Sequence, residues 1–124
     1  MILIDSNLVI YASRPEFETL RQFLIREDIA VSIVSQIEVL GYHRLTDSAR
    51  IELERFLDTV EILPLTSDIA RQAIHLRQQR KMSLGDSITA ATALCHDCGL
   101  ATHNTDDFRW IADLELTDPC LEDT

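Results

Sequence analysis

Residues 2–7 read ILIDSN: Ile2, Leu3 and Ile4 in an unbroken run, then Asp5, Ser6 and Asn7. So short an apolar run, without polar alternation, predicts a strand buried on both faces, as in a parallel sheet covered by helices. The chain then leaves the interior at a carboxylate. Open α/β sheets bind ligands in the crevice beyond the carboxyl ends of their strands, which makes an acid at that spot a candidate ligand or catalyst. The competing reading is an N-cap, because Asp and Ser both accept hydrogen bonds from the free N–H groups that open a helix. On this stretch alone the cap is the simpler reading.

Composition narrows the alternatives. A chain of 124 residues fits one domain, residues 1–124, with a core large enough to need no disulfide or metal staple. With 46% hydrophobic and 26% charged residues it is globular. No basic segment leads into a long apolar stretch with a small-residue cleavage site, and no apolar run approaches a membrane span. The expectation is a soluble cytoplasmic protein with no membrane partner. Three cysteines, an odd number, do not suggest a disulfide framework. Cys95 and Cys98 form a CxxC with His96, His103 and Cys120 nearby in sequence, but a structural zinc site needs four well-placed ligands and no second such pair exists. The pair is expected to pack near the end of a helix that stops at Gly99, with zinc or redox roles as minor alternatives.

Net charge is −10, from 21 acids against 11 bases, which argues against a nucleic-acid partner. That argument weakens if the acids gather in a site that a divalent cation neutralises. Local basicity then matters more, and HLRQQRK at 75–81 supplies Arg77, Arg80 and Lys81; alternatively these are solvated charges at a helix C-terminus, where the dipole favours them.

Along the chain there is no linker, low-complexity tract or solenoid repeat. PEFETLRQFLIRE has Pro15 at an early helical position and Phe17, Leu20, Phe23 and Leu24 at helical spacing, so a helix follows strand one. IAVSIV at 29–34 reads as a strand, and Ser35 opens a second helix over SQIEVLGYHRL. DSARIELERFLDTV is a third helix, EILPL a short strand limited by Pro64, and SDIARQAIHLRQQRK a fourth helix capped by Thr66 or Ser67. SLGDSITAATALCHDC carries almost no charge and reads as a helix buried on most sides. A strand starts at Leu100, and RWIADLEL suggests a short helical turn and a last edge strand. Alternating strands and helices imply right-handed crossovers and a mainly parallel sheet with helices on both faces, a three-layer α/β/α domain.

A carboxylate repeatedly follows an apolar element: Asp5 after ILI, Glu38 one turn after IAVSIV, Asp86 at the start of the buried helix, Asp106 and Asp107 after LAT. Parallel strands share one carboxyl edge, so these acids can converge. Converging carboxylates repel, and protons or cations must sit among them; oxygen-only donors suit Mg²⁺ or Mn²⁺. Each acid also has a local alternative. Ser35xxGlu38 fits a capping box, and Ser83xxAsp86 places an acid in a first turn. Capping does not require all four acids to lie at strand carboxyl ends, however, nor explain why Asp86 prefaces so apolar a helix.

In this order and spacing, ILIDSN, SQIEVLG, LGDSITAATA and THNTDDF resemble the PIN-domain ribonucleases, and among them the VapC-type toxins of bacterial toxin–antitoxin pairs. The resemblance spans nearly the whole chain and its length. No single motif is specific; four in order are. It maps the family's acidic quartet onto Asp5, Glu38, Asp86 and Asp107, the last preferred to Asp106 because the family's pattern there is NxxDF. Asn7 and Asn104 match polar positions around the family's metal site, and Thr102 and Ser6 match positions that orient ligands. One departure is the serine of SQIE, which stands where many relatives carry threonine, or serine beside a bulkier neighbour.

The resemblance implies Mg²⁺-dependent (or Mn²⁺-dependent) hydrolysis of RNA phosphodiester bonds. One or two ions held by the quartet would activate a water, with Asp5 as the bridging ligand. No Ser-His-Asp or Cys-His arrangement competes; His43, His75 and His96 are scattered, while His103 is placed to be a donor beside the site. Arg14, Arg77, Arg80, Lys81 and Arg109 are candidates to hold the RNA backbone, contacts that carry no sequence information. A VapB-type antitoxin crossing the toxin, often with an arginine at the metal site, and a homodimer built on apolar residues of the third and fourth helices are the implied partners. Two rivals stand against this. A haloacid dehalogenase-type phosphatase needs DxD, and position 7 is Asn. A catalytically silent PIN-like module binding RNA or a partner has no need of intact Asp5, Glu38 and Asp86.

Overall fold

The computed structural model describes residues 1–12, 14, 18–26 and 28–121; Pro15 and Phe17 lie outside the described residues. Five strands, β1 (Ile2–Ile4), β2 (Ile29–Ser32), β3 (Glu61–Leu63), β4 (Gly99–Ala101) and β5 (Leu116–Thr117), form one sheet in the order β3-β2-β1-β4-β5. Every pairing is parallel, the predicted edge strand β5 included. In the centre Leu3 lies opposite Ala30 on one side and Leu100 on the other. Around the sheet stand α1 (Ser6–Ala12), α2 (Glu18–Arg26), α3 (Ile33–Leu40), α4 (Asp47–Leu57), α5 (Ser67–Gln79) and α6 (Leu84–Cys95).

Strand side chains alternate between two cores. Leu3, Ala30, Leu63 and Leu100 pack with Ile69, Leu76, Ile88 and Phe108, whereas Ile4, Val31 and Ala101 pack with Leu8, Val9, Leu20, Phe23 and Leu53. Both faces of the sheet are therefore dry, which is why its strands read as unbroken apolar runs. This is the three-layer α/β/α arrangement. From β1 the chain steps out through β2 to β3, then returns to β4 on the other side of β1. That reversal puts the sheet's switch point, where such folds open a crevice, between the carboxyl ends of β1 and β4.

Local boundaries depart from the sequence reading in three places. A short helix, α1, begins directly after Asp5, ahead of the helix expected around residues 18–26. The second helix starts at Ile33, because Ser32 and not Ser35 is its cap: the Ser32 hydroxyl accepts from the Val34 N–H at 3.1 Å. Ser35 is thus an interior helical residue, buried, whose hydroxyl finds no hydrogen-bond partner among the described residues. Finally, α6 stops at Cys95 rather than Gly99, and Asp97, with φ 50°, reverses the chain in the left-handed region that Asp tolerates better than most residues. Cys95 ends the helix and Cys98 lies beyond it, both as free thiols.

Helix α6 is buried continuously from Ser87 to Ala93. Small side chains let it sit close against α5 and the sheet, and two of its polar ones bond back to their own helix: Ser87 donates to the Leu84 carbonyl at 2.7 Å and Thr92 to the Ile88 carbonyl at 2.6 Å. Ala91 is 0% exposed. Ala91→Leu should therefore overpack the layer and cost about 1–3 kcal/mol, read as a lower urea midpoint with unchanged slope.

Candidate active site

Asp5 is 6% exposed and uses both carboxylate oxygens. Oδ1 accepts from the Leu8 N–H at 3.0 Å, and Oδ2 accepts from the Thr102 hydroxyl at 2.6 Å. The first bond is a helix cap for α1; the second crosses the switch point from the end of β4 to the end of β1. Capping and site membership are thus both properties of this one side chain. Thr102, 0% exposed, is itself fixed by the Asn104 N–H at 3.0 Å. Burial pushes the Asp5 carboxyl above its ordinary 3.8; the two hydrogen bonds oppose that shift, and the nearby charge of Asp118 adds to it.

Glu38 arrives on the exposed side of α3. Its Oε1 accepts from the Ser6 hydroxyl at 2.9 Å, which ties it to the residue after Asp5 and removes the expected capping box with Ser35. Its carboxylate also lies against Gly85 at the start of α6: a Cβ there would stand 2.8 Å from Oε2 and 3.0 Å from Oε1. Absence of a side chain at position 85 is what lets Glu38 close on the residue next to Asp86.

Asp86 lies in the first turn of α6, whose N-cap Ser83 accepts from the Asp86 N–H at 3.1 Å. Its carboxyl is held above 3.8, chiefly by burial, with the Ser83 hydroxyl opposing; the charges of Asp107, Asp5 and Glu38 push the same way as burial. All four predicted acids therefore share one electrostatic neighbourhood, although no three of them bring their oxygens within 4.8 Å of one another. The neighbours Asp106 and Asp107 part company: Asp106 pairs with Arg109 at 2.7 Å, while Asp107 is the one whose charge reaches Asp86. Oxygen donors that repel one another and sit partly buried fit a hard divalent cation.

Beside the acids, Arg77, Arg80, Lys81, Ser83, Asp86, Asp107 and Trp110 line a hollow of about 610 Å³. Arg80 stacks over Trp110 at 5.7 Å, and Arg77 Nε donates to the Met82 carbonyl at 3.3 Å. Of the other basic candidates, Arg14 lies over Tyr11 at 5.6 Å and Arg109 is held by Asp106. His103 does not bond to the quartet; its Nδ1 lies 3.1 Å from Asp118 Oδ2. Asp118 was missed in the sequence, although it follows LELT as Asp5 follows ILI and so carried the same signal. Gly85 was missed for a different reason, since nothing local marks a glycine whose importance is a distant side chain.

The site is thus an all-parallel α/β sheet with acids from four chain segments in one electrostatic neighbourhood beside its switch point. A family model described as PIN domain matches residues 2–114, and the chain belongs to the PIN-domain family. Ribonuclease VapC10 of Mycobacterium tuberculosis is 36% identical over 113 residues, covering 84% of this chain and 83% of that protein. Among solved structures, a toxin–antitoxin complex from Klebsiella pneumoniae is similar at 30% identity and TM-score 0.79, covering 96% of this chain and 98% of that one. VapBC2 from Rickettsia felis, bound to a DNA fragment from its promoter, shares the fold at 21% identity and TM-score 0.83, covering 94% and 98%.

Two outcomes follow from this geometry. Gly85→Ala puts a methyl group where the Glu38 carboxylate lies; the flexible side chain yields, while alanine gains about 1 kcal/mol of helix propensity over glycine. Its urea midpoint should be unchanged or higher, and its crystal structure should show the Ser6–Glu38 hydrogen bond broken. Because the Asp86 carboxyl titrates higher folded than unfolded, its ionisation costs stability at neutral pH, and the cost fades as pH falls through the folded value. Asp86→Asn should raise Tm by a few degrees at neutral pH, the scale of roughly 0.5–2 kcal/mol typical for relieving a functional site. That advantage should shrink as pH falls towards 3.8.

Proposed function

We propose that residues 1–124 form a single PIN-like domain that acts as a Mg²⁺-dependent endoribonuclease, the toxin of a toxin–antitoxin pair. The observation that carries this reading is the shared electrostatic neighbourhood of Asp86 with Asp107, Asp5 and Glu38, acids 21, 81 and 48 positions from it in the sequence. Membership of the PIN family and similarity to Ribonuclease VapC10 support it.

Asp5, Glu38, Asp86 and Asp107 would hold the ion, Mg²⁺ or alternatively Mn²⁺. Bound among them, it would neutralise their charge, lower the pKa of an attacking water and stabilise the leaving oxygen. The chain's own residues supply the positioning. Thr102 and the Leu8 N–H fix Asp5, so this carboxylate presents its remaining lone pairs in one orientation. Ser6 fixes Glu38, and the N-terminus of α6 fixes Asp86 while adding its positive dipole end. Arg80 and Lys81, in the hollow that Asp86 and Asp107 also line, would take the RNA phosphates on either side of the scissile bond.

A VapB-type antitoxin would cover the same edge, and similarity to the Klebsiella toxin–antitoxin complex supports that partner. A hollow of about 610 Å³ lined by Val39, Tyr42, Leu45, Leu53 and Glu38 offers apolar cover next to one of the acids. Self-association would use Ile74 on α5, exposed beside Leu65 and Leu84, more than α4, whose Ile51 is an isolated exposed residue. No described helix is long and apolar enough to cross a membrane, and the pair would act in the cytoplasm.

Asp5→Asn keeps the shape of the side chain and removes its charge. RNA cleavage in Mg²⁺ should fall at least about a hundredfold, growth arrest on expression should disappear, and the folded circular dichroism spectrum should remain. Cleavage undiminished in EDTA, or in the variant, would contradict the mechanism.

A further inference from the structure

Outside the quartet, one group of potential ligands is drawn together more tightly than the acids themselves. The ligand atoms of His103, Asp118 and Cys120 all lie within 4.8 Å of one another, the one trio of His, Cys, Asp or Glu side chains to do so among the described residues. The three come from the carboxyl ends of two neighbouring strands: His103 two residues past β4, Asp118 directly after β5, and Cys120 in the turn Pro119–Leu121. We propose that His103, Asp118 and Cys120 form a zinc-binding site, distinct in chemistry from the carboxylate quartet beside it.

The donors support this choice of ion. An imidazole nitrogen, a thiolate sulfur and one carboxylate oxygen select zinc over Mg²⁺, whereas the quartet offers oxygen alone. Three protein ligands leave a fourth position for water, and the His103 side chain, 46% exposed, keeps the site open to solvent. Asp118 is already oriented: its side chain is 9% exposed, and the Cys120 N–H donates to Oδ1 at 3.0 Å, leaving Oδ2 facing His103 Nδ1 at 3.1 Å. Tetrahedral zinc shells place ligand atoms roughly 3.5 Å apart, so side-chain rotations of about an ångström close the trio on an ion. On binding, the Cys120 thiol releases its proton to solvent, and neutral His103 carries its proton on Nε2 so that Nδ1 can coordinate.

Such a clip has a structural purpose here. β5 contributes two residues, Leu116 and Thr117, to the sheet edge, a short ladder against β4. An ion joining His103 to Asp118 and Cys120 closes the loop between those strands and fastens the segment after β5 beside Thr102 and Asp5.

Cobalt(II) titration of the purified full chain, free of affinity-tag histidines, tests the assignment, because only thiolate coordination gives a sulfur-to-cobalt charge-transfer band in the near ultraviolet. The wild type should develop that band at one cobalt per chain and lose it when zinc is added. It should persist in Asp86→Asn and in Cys95→Ser/Cys98→Ser, disappear in Cys120→Ser, and require at least tenfold more metal in His103→Ala. No thiolate band in the wild type, a band that survives Cys120→Ser, or one abolished by replacing Cys95 and Cys98 would overturn the proposal. Since the readout is thiolate coordination, failure of the nuclease reading would leave it intact.

Discussion

The buried Asp5 carboxylate, held on both oxygens by hydrogen bonds, is the constraint on which the rest of the site depends. Asp5 is nearly buried, and a buried carboxylate is costly unless its lone pairs are used. Here the cost is offset on both oxygens, one by the opening turn of α1 and the other by Thr102 across the switch point. The second bond joins residues separated by 97 positions in the chain. It can form only after β1 and β4 are paired in register, with Ile4 beside Ala101. Sheet register therefore decides whether the first acid of the site exists.

The other acids depend on α6. A helix with larger side chains along Ser87–Ala93 would stand further from the sheet and carry Asp86 away from Asp5. Gly85 extends the same logic by one residue, admitting the Glu38 carboxylate where any side chain would exclude it. Small residues thus serve packing in the body of the helix and proximity of charge at its first turn. Burial, the largest cause, raises the carboxyl pKa of both Asp5 and Asp86, and at Asp86 the charges of Asp107, Asp5 and Glu38 push the same way. Stability given up at a site is the usual cost of function.

Much of this was legible in the sequence, for identifiable reasons. Dry strands between two helical layers leave unbroken apolar runs, so β1, β2 and β4 and the three-layer class could be read from ILI, IAVSIV and the run that starts at Leu100. Acids that follow such runs share the carboxyl edge, which made Asp5, Glu38, Asp86 and Asp107 readable as a group. What escaped was short or non-local. SNLVIYA is seven residues long and continues the apolar pattern of ILI, so α1 had no periodicity of its own. The β2–α3 boundary was displaced because Ile33 and Val34 prolong IAVS without a polar break, hiding the cap at Ser32. His103 was placed beside the site but not with its true partner, since a pairing with Asp118 depends on how a two-residue edge strand lies against β4.

A crystal grown with Mn²⁺ and measured for anomalous scattering tests the carboxylate site most directly. An anomalous peak coordinated by Asp5 and at least two of Glu38, Asp86 and Asp107, at the carboxyl ends of β1 and β4, is the expected result. Mn²⁺ bound elsewhere and none among these carboxylates would contradict the metal-site assignment.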